Sequence, residues 1–251
     1  MSMTEVAANI AVANQSLGLL GAKAIVLNGS TQNHTYCTTF FDDARDEILV
    51  AHKWNFAKKP AYAIQTTDRI FGYDNSFTKP TDCLRVLQIE QDPASEFEVE
   101  GDLIITDEGS TPSDWVTATA YLAGEYIQSD SSGATLTYLV DTAFTSSTEA
   151  TDLTSYCTSA GADYEVLEVE YIYQHTTLGS WPIYVRQCLI LNLARMLCSP
   201  IKQNEEVAHN LQGMLYGSSK TIGYLDVARS TDAHEGGAIA IQTNTWINAR
   251  S

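Results

Sequence analysis

Phe97-Glu-Val-Glu-Gly-Asp-Leu-Ile-Ile-Thr-Asp107 is the stretch whose reading decides the fold. Apolar and acidic residues alternate through Phe97-Glu-Val-Glu, a β-rich run follows in Leu103-Ile-Ile-Thr, and Gly101-Asp102 stands between them. Strand-like runs on either side of a glycine-containing turn predict a β-hairpin. Outward from it, Ala61–Thr66 and Cys83–Glu90 are short and β-branched or alternating, with turns marked by Gly72 and Asp92-Pro93. Beyond it, Tyr164–Tyr173 sets Val166, Val169 and Ile172 among acids and predicts that strand pairing resumes. The middle of the chain is therefore read as β.

Both flanks switch to the helical period. Residues 4–21 predict a helix with Thr4 as N-cap. Val6, Ile10, Ala13, Leu17 and Leu20 form its stripe, and Gly21 is its stop. A second helix is expected at about 34–53, with Phe41, Ala44, Ile48 and Ala51 inward and Asp42, Asp43, Arg45, Asp46 and Glu47 mostly outward. The aromatic group Trp54-Asn55-Phe56 closes it as a packing anchor. On the far side, Ser180-Trp-Pro opens a helix whose body, Ile183–Cys198, is apolar on nearly every side and hence buried. Ser199-Pro200 is expected to end it. A last helix over about 203–225 carries Val207, Leu211, Met214, Leu215, Ile222 and Leu225, weakened by Gly213, Gly217 and Gly223. Ile239–Ile247 reads as a strand that orders only against a partner.

Charge divides the chain unevenly. The net charge is −17, yet between Arg85 and Arg186 there is no lysine or arginine and there are 18 acids; the remainder holds 14 bases and 13 acids. A surface of that sign does not grip nucleic acid phosphates. Five scattered cysteines without CxxC spacing argue against a disulfide framework or a zinc site. The five histidines show no metal-ligand spacing, and no phosphate-binding glycine loop or nucleophile elbow occurs. No catalytic, cofactor or metal site is expected, and an enzyme is not the reading. The N-terminal MSMTEVAAN is not read as a signal peptide, and no apolar run is long enough to span a bilayer, so no membrane partner is expected.

Two groups of side chains are candidate surfaces. Glu96, Glu98 and Glu100 alternate and fall on one strand face, either a solvated face or one that meets a basic partner. In the stretch 109–163, Trp115, Tyr121 and Tyr138 are candidates for stacking on sugar rings; the other reading is that they form the core of a small module.

Four segments stand out: Ala13-Asn-Gln-Ser-Leu-Gly-Leu-Leu-Gly21; Ala51-His-Lys-Trp-Asn-Phe-Ala57; Lys79-Pro-Thr-Asp-Cys-Leu-Arg-Val-Leu87 with the hairpin after it; and Leu167-Glu-Val-Glu-Tyr-Ile-Tyr173 followed by Trp181-Pro182 and Leu193-Ala-Arg-Met-Leu197. Together, in this order, they resemble the head-to-tail adaptor (connector) family of tailed bacteriophages, which includes the tail tubular proteins A of short-tailed phages. Lys79 stands where the family has an apolar residue. The larger departure is the gap from Asp107 to Tyr164, which the family crosses in a few residues. Within that gap the order Trp115, Tyr121-x-x-Gly124-Glu125-x-Ile127, Gly133, Tyr138 and Thr145-Ser-Ser147 is similar to small chitin-binding-type carbohydrate modules.

The resemblance implies an α+β protein: a four-helix bundle packed beside a small antiparallel β-sheet, with an inserted small all-β domain. On this plan 1–108 and 164–230 form a discontinuous adaptor domain, 109–163 the insert, and 231–251 an extended C-terminal arm. It implies a structural virion protein of the neck, assembled in the host cytoplasm. The partners would be its own copies in a ring of twelve, a portal protein, and a tail or nozzle protein. The genomic DNA would pass through the channel without specific binding. The alternative is a carbohydrate-binding or adhesion protein acting through the insert.

Overall fold

Gly21 takes a φ of 60°, and that left-handed turn closes the first helix: its N–H bonds to the Gly18 carbonyl and the Ala22 N–H to that of Leu17. The computed structural model describes residues 6–68, 71–90, 94–130, 133–218 and 221–235. In chain order it has helices α1 (Ala7–Leu19) and α2 (Gln32–Val50), then strands β1 (Lys58–Ile64), β2 (Asn75–Thr78), β3 (Cys83–Ile89), β4 (Glu98–Glu100) and β5 (Leu103–Thr106). The next stretch holds β6 (Ser113–Asp114), β7 (Ala120–Tyr121), β8 (Tyr126–Ser129), β9 (Leu136–Val140), β10 (Phe144–Thr145), α3 (Glu149–Tyr156) and β11 (Cys157–Ser159). Strand β12 (Val166–Tyr173) leads back to helices α4 (Ile183–Lys202), α5 (Glu205–Tyr216) and α6 (Tyr224–Glu235). The fold is mixed α+β, with six helices and several small, mostly antiparallel sheets among the described residues.

The chain divides into two compact units, residues 1–57 with 175–251 and residues 58–174. The first holds every helix but α3. Helix α4 packs against α1, α2, α5 and α6, as its apolar circumference demands. Val185, Cys188, Leu189, Leu193, Ala194 and Leu197 are fully buried, together with Leu17, Phe41, Ile48 and Trp54 from the neighbouring elements. Each of the large side chains contributes about 2 kcal/mol by leaving water. Asn192, also fully buried, donates to the Ala44 carbonyl (3.1 Å) and to Glu47 (3.0 Å), which in turn holds Arg195 (2.9 Å).

Several boundaries differ from those expected. The expected cap Thr4 lies outside the described residues; α1 starts at Ala7, and Val6 is exposed rather than part of the buried stripe. Helix α2 begins two residues earlier than expected, because Thr31 caps it by accepting from the His34 N–H. Asp42 and Arg45, expected outward, are buried at 8% and 5% exposure and neutralise each other at 2.8 Å. Pro200 does not end α4: it stands in the last turn, and Gln203 in a left-handed conformation (φ 51°) closes the helix. The helix expected over 203–225 stops at Tyr216, and a separate helix, α6, starts at Tyr224. Asn204 caps α5 by accepting from the Glu206 and Val207 N–H groups, and Gly217 at φ 82° ends it. Residues 231–235, expected in an extended arm, continue α6; Ile239–Ile247 lies outside the described residues.

In the second unit, one sheet has the order β1-β12-β3 and another β2-β5-β4, all antiparallel. The expected hairpin is present, with Val99 opposite Ile104 across Gly101 at φ 61°. Strand β2 went unread because Asp74 and Asn75 look like turn residues, yet Phe77 pairs with Ile104 and is fully buried. Ala63, Phe77, Cys83, Ile89, Ile104, Leu167, Val169 and Tyr171 form the core between these sheets. Residues 109–163 gather round a smaller core of Tyr121, Ile127, Val140 and Leu153. That stretch is not all β: α3 covers its core through Leu153, and its sheet β11-β9-β8-β6 has a parallel pair, β6 with β8. It is tied to the sheet of β12 by the Ser110–Val166 bridge and by Thr137, which donates to the Tyr164 carbonyl.

Candidate functional site

The hairpin acids come first, because the turn that makes the hairpin also presents them. Strand β4 comprises only Glu98–Glu100, so Glu96 precedes the ladder; its carbonyl accepts from the Thr106 hydroxyl at 2.7 Å. All three glutamates are exposed, and none takes part in an ion pair among the described residues. Val99, on the other face, is 46% exposed. The series is an exposed acidic edge that spans residues 96–100.

The aromatics of 109–163 are brought together, but inward. Tyr121 is 7% exposed, and its hydroxyl accepts from the Val116 N–H at 2.7 Å. Trp115 and Tyr138 are half-buried against the same cluster, and the Trp115 indole N–H is buried with no partner. Phe144 joins them and stacks on Tyr156 at 4.9 Å. Tyr121 is therefore a core ring, while Trp115 and Tyr138 keep part of their surface exposed.

A node that the sequence did not disclose lies on the β1-β12-β3 sheet. The Lys59 ammonium approaches Asp82 at 2.8 Å, while the Tyr171 hydroxyl donates to the other Asp82 oxygen at 2.7 Å. Burial pushes the Asp82 carboxyl up, but the bonds from Lys59 and Tyr171 outweigh it and leave the group below its ordinary value. Burial, reinforced by the Asp82 carboxylate, raises Tyr171 far above the ordinary phenol range. Around the node a groove of about 860 Å³ runs past Tyr62, Leu122, Glu125, Tyr126 and Glu168. The bonds of Lys59 and Tyr171 to Asp82 brace three segments of this sheet against one another.

Ser180 and His175 form the other pair with catalytic residue types, Oγ to Nε2 at 3.1 Å. The Thr177 N–H donates to His175 Nδ1 at 3.4 Å, and Ser180 donates its own proton to the Thr177 carbonyl at 2.9 Å. Ser180 thus commits its own proton to a backbone carbonyl, and burial lowers the His175 pKa. Burial pushes the thiols of Cys37, Cys83, Cys157 and Cys188 up to about 11, which keeps them protonated and unreactive. Among the described residues no group of three His, Cys, Asp or Glu side chains is arranged to hold a metal, and no helix is long and apolar enough to cross a membrane.

What sequence reasoning missed was spatial. Lys59, Asp82 and Tyr171 come from three segments, and no local motif joins them. Compared with protein-family models and with curated proteins, the chain finds no match.

Proposed function

We propose that this chain is a structural head-to-tail adaptor of a tailed bacteriophage. Its copies form a ring, twelve in the family plan, beneath the portal protein and above a tail or nozzle protein. Genomic DNA passes through the channel for packaging, retention and ejection. One observation carries the reading: the segments that bear the resemblance are framework, and the segment that departs from it has its own small core. Trp54 is fully buried and donates its indole N–H to the Ile48 carbonyl, while Asn55 ties the end of α2 to Asp232 of α6. In this reading α1, α2, α4 and the α5–α6 pair stand for the four helices of the bundle.

Charge supports the same role. Residues 58–174 hold five bases and 21 acids, whereas the helical unit holds nine and ten. A wall of that acidity in a DNA channel repels phosphates and keeps the genome from sticking. The test is to mix the purified chain with a purified portal protein from the same source. Co-sedimentation as a ring-on-ring complex in electron micrographs is the expected outcome; no binding at any ratio would refute the role.

A further inference from the structure

Arg186 is an arginine without a counterion. Among the described residues its guanidinium enters no hydrogen bond or ion pair, and its Nε is buried. The other described arginines, Arg45, Arg85, Arg195 and Arg229, all interact. A buried donor left unsatisfied costs free energy, so this one calls for a partner. Arg186 stands in the first turn of α4 and lines a groove of about 230 Å³ between α1 and α4. Ala8, Ala11 and Val12 from α1 and Ile183 and Ile190 from α4 line the same groove. Helix α1 has no charged residue, and Arg186 is the one charge in the lining. The two alanines leave room for a side chain from outside.

The chain also carries a side chain of the matching kind. Phe71 is 91% exposed, the most exposed of the large hydrophobics among the described residues. An aromatic ring left in water forgoes the burial that makes such rings dominate interfaces. It sits in the bend before β2, next to Gly72 at φ 92°. Acids flank it. Asp74 is exposed, its N–H donates to Asp107 at 2.9 Å, and its carboxylate enters no ion pair among the described residues. Asp107, Glu96 and Glu98 belong to the same end of the β2-β5-β4 sheet. Desolvation first, and then Glu98, Glu96 and Asp107, raise the Tyr73 phenol above its ordinary value. One base, Arg69, is near in sequence and lies outside the described residues. Phe71 is thus an apolar knob with an acidic flank, and the α1–α4 groove is an apolar slot with one cation.

We propose that Phe71 of one copy enters the α1–α4 groove of a second copy, where Arg186 pairs with the carboxylates beside the ring. Burial of the ring supplies the attachment, and guanidinium–carboxylate bonds fix its orientation. Knob and groove are different surfaces of the chain. The contact is therefore heterologous, and repetition closes a ring or runs on as a filament. The proposal deepens the ring reading and rests on it, but its test uses the purified chain alone. It therefore fails or succeeds separately from portal binding.

The test uses three variants of the full chain. Phe71→Ser removes the knob, Ala11→Phe fills the groove from an exposed position, and Arg186→Gln removes the cation. Circular dichroism verifies folding in each, and sedimentation across concentration gives the association constants. The wild type should self-associate, and each variant should do so at least about tenfold more weakly. A mixture of Phe71→Ser with Ala11→Phe keeps one knob and one groove, so it should form a dimer that grows no further. A wild type that stays monomeric, undiminished association of Phe71→Ser or of Arg186→Gln, or a mixture that yields no dimer would each overturn it.

Discussion

Asp82 joins three stretches of chain that sequence keeps far apart, and the energetics of the node follow from how each partner is exposed. Lys59 is half in solvent, so its ion pair contributes at most about 1 kcal/mol. Tyr171 is 1% exposed, and its charge-assisted bond stabilises more. Tyr171→Phe is expected to lower stability by about 1–2 kcal/mol at pH 7. Because the folded Asp82 pKa lies below the unfolded value, this stabilisation is complete above about pH 3.9 and is lost as pH falls through the folded value. Denaturant titrations of wild type and variant at neutral and acidic pH should therefore converge on the acid side. Parallel curves at all pH values would show that the charged form of Asp82 carries no part of the difference. None of this was legible in advance: a lysine, an aspartate and a tyrosine at such separations form no motif.

Among the elements, those set by local chemistry were readable and those set by tertiary context were not. The hairpin of β4 and β5 was legible because period two and Gly101 state it within eleven residues. The buried centre of α4 was legible because it is apolar all round, whereas its run past Pro200 rests on how the last turn is closed. The split of the last helix depends on Gly217. Its φ of 82° and ψ of −177° suit glycine almost alone, and a Cβ there would lie 2.7 Å from the Gly223 nitrogen and the Thr221 oxygen. Gly217→Ala is expected to cost about 3 kcal/mol. Gly213→Ala, inside α5 with nothing within 4 Å of the new carbon, should instead stabilise by about 0.5–1 kcal/mol. Urea midpoints measure both; equal effects at the two glycines would remove the turn as the reason α5 stops.

For the whole molecule, the sequence foretold an α+β chain, and the structure is mixed α+β with six helices and several small sheets among the described residues. Of the two readings offered for Trp115, Tyr121 and Tyr138, spacing alone could not choose, because it does not tell an aromatic that packs from one that binds; Tyr121 lies in the small core and the other two pack partly against it. Nor did the charge block mark a boundary: the acids run on through β4 and β12, so the acidic region reaches beyond the insert, while residues 58–85 of the same unit hold five bases and three acids. The central claim is the position of this chain in a virion. Cryo-electron microscopy of the tailed-phage particles proposed to contain it, at a resolution that shows helices, measures that position directly. The account predicts a ring of density between portal and tail into which α1, α2, α4, α5 and α6 fit, with residues 58–174 facing the channel. Density for this chain elsewhere in the particle, or an intact neck that lacks it, would contradict the account.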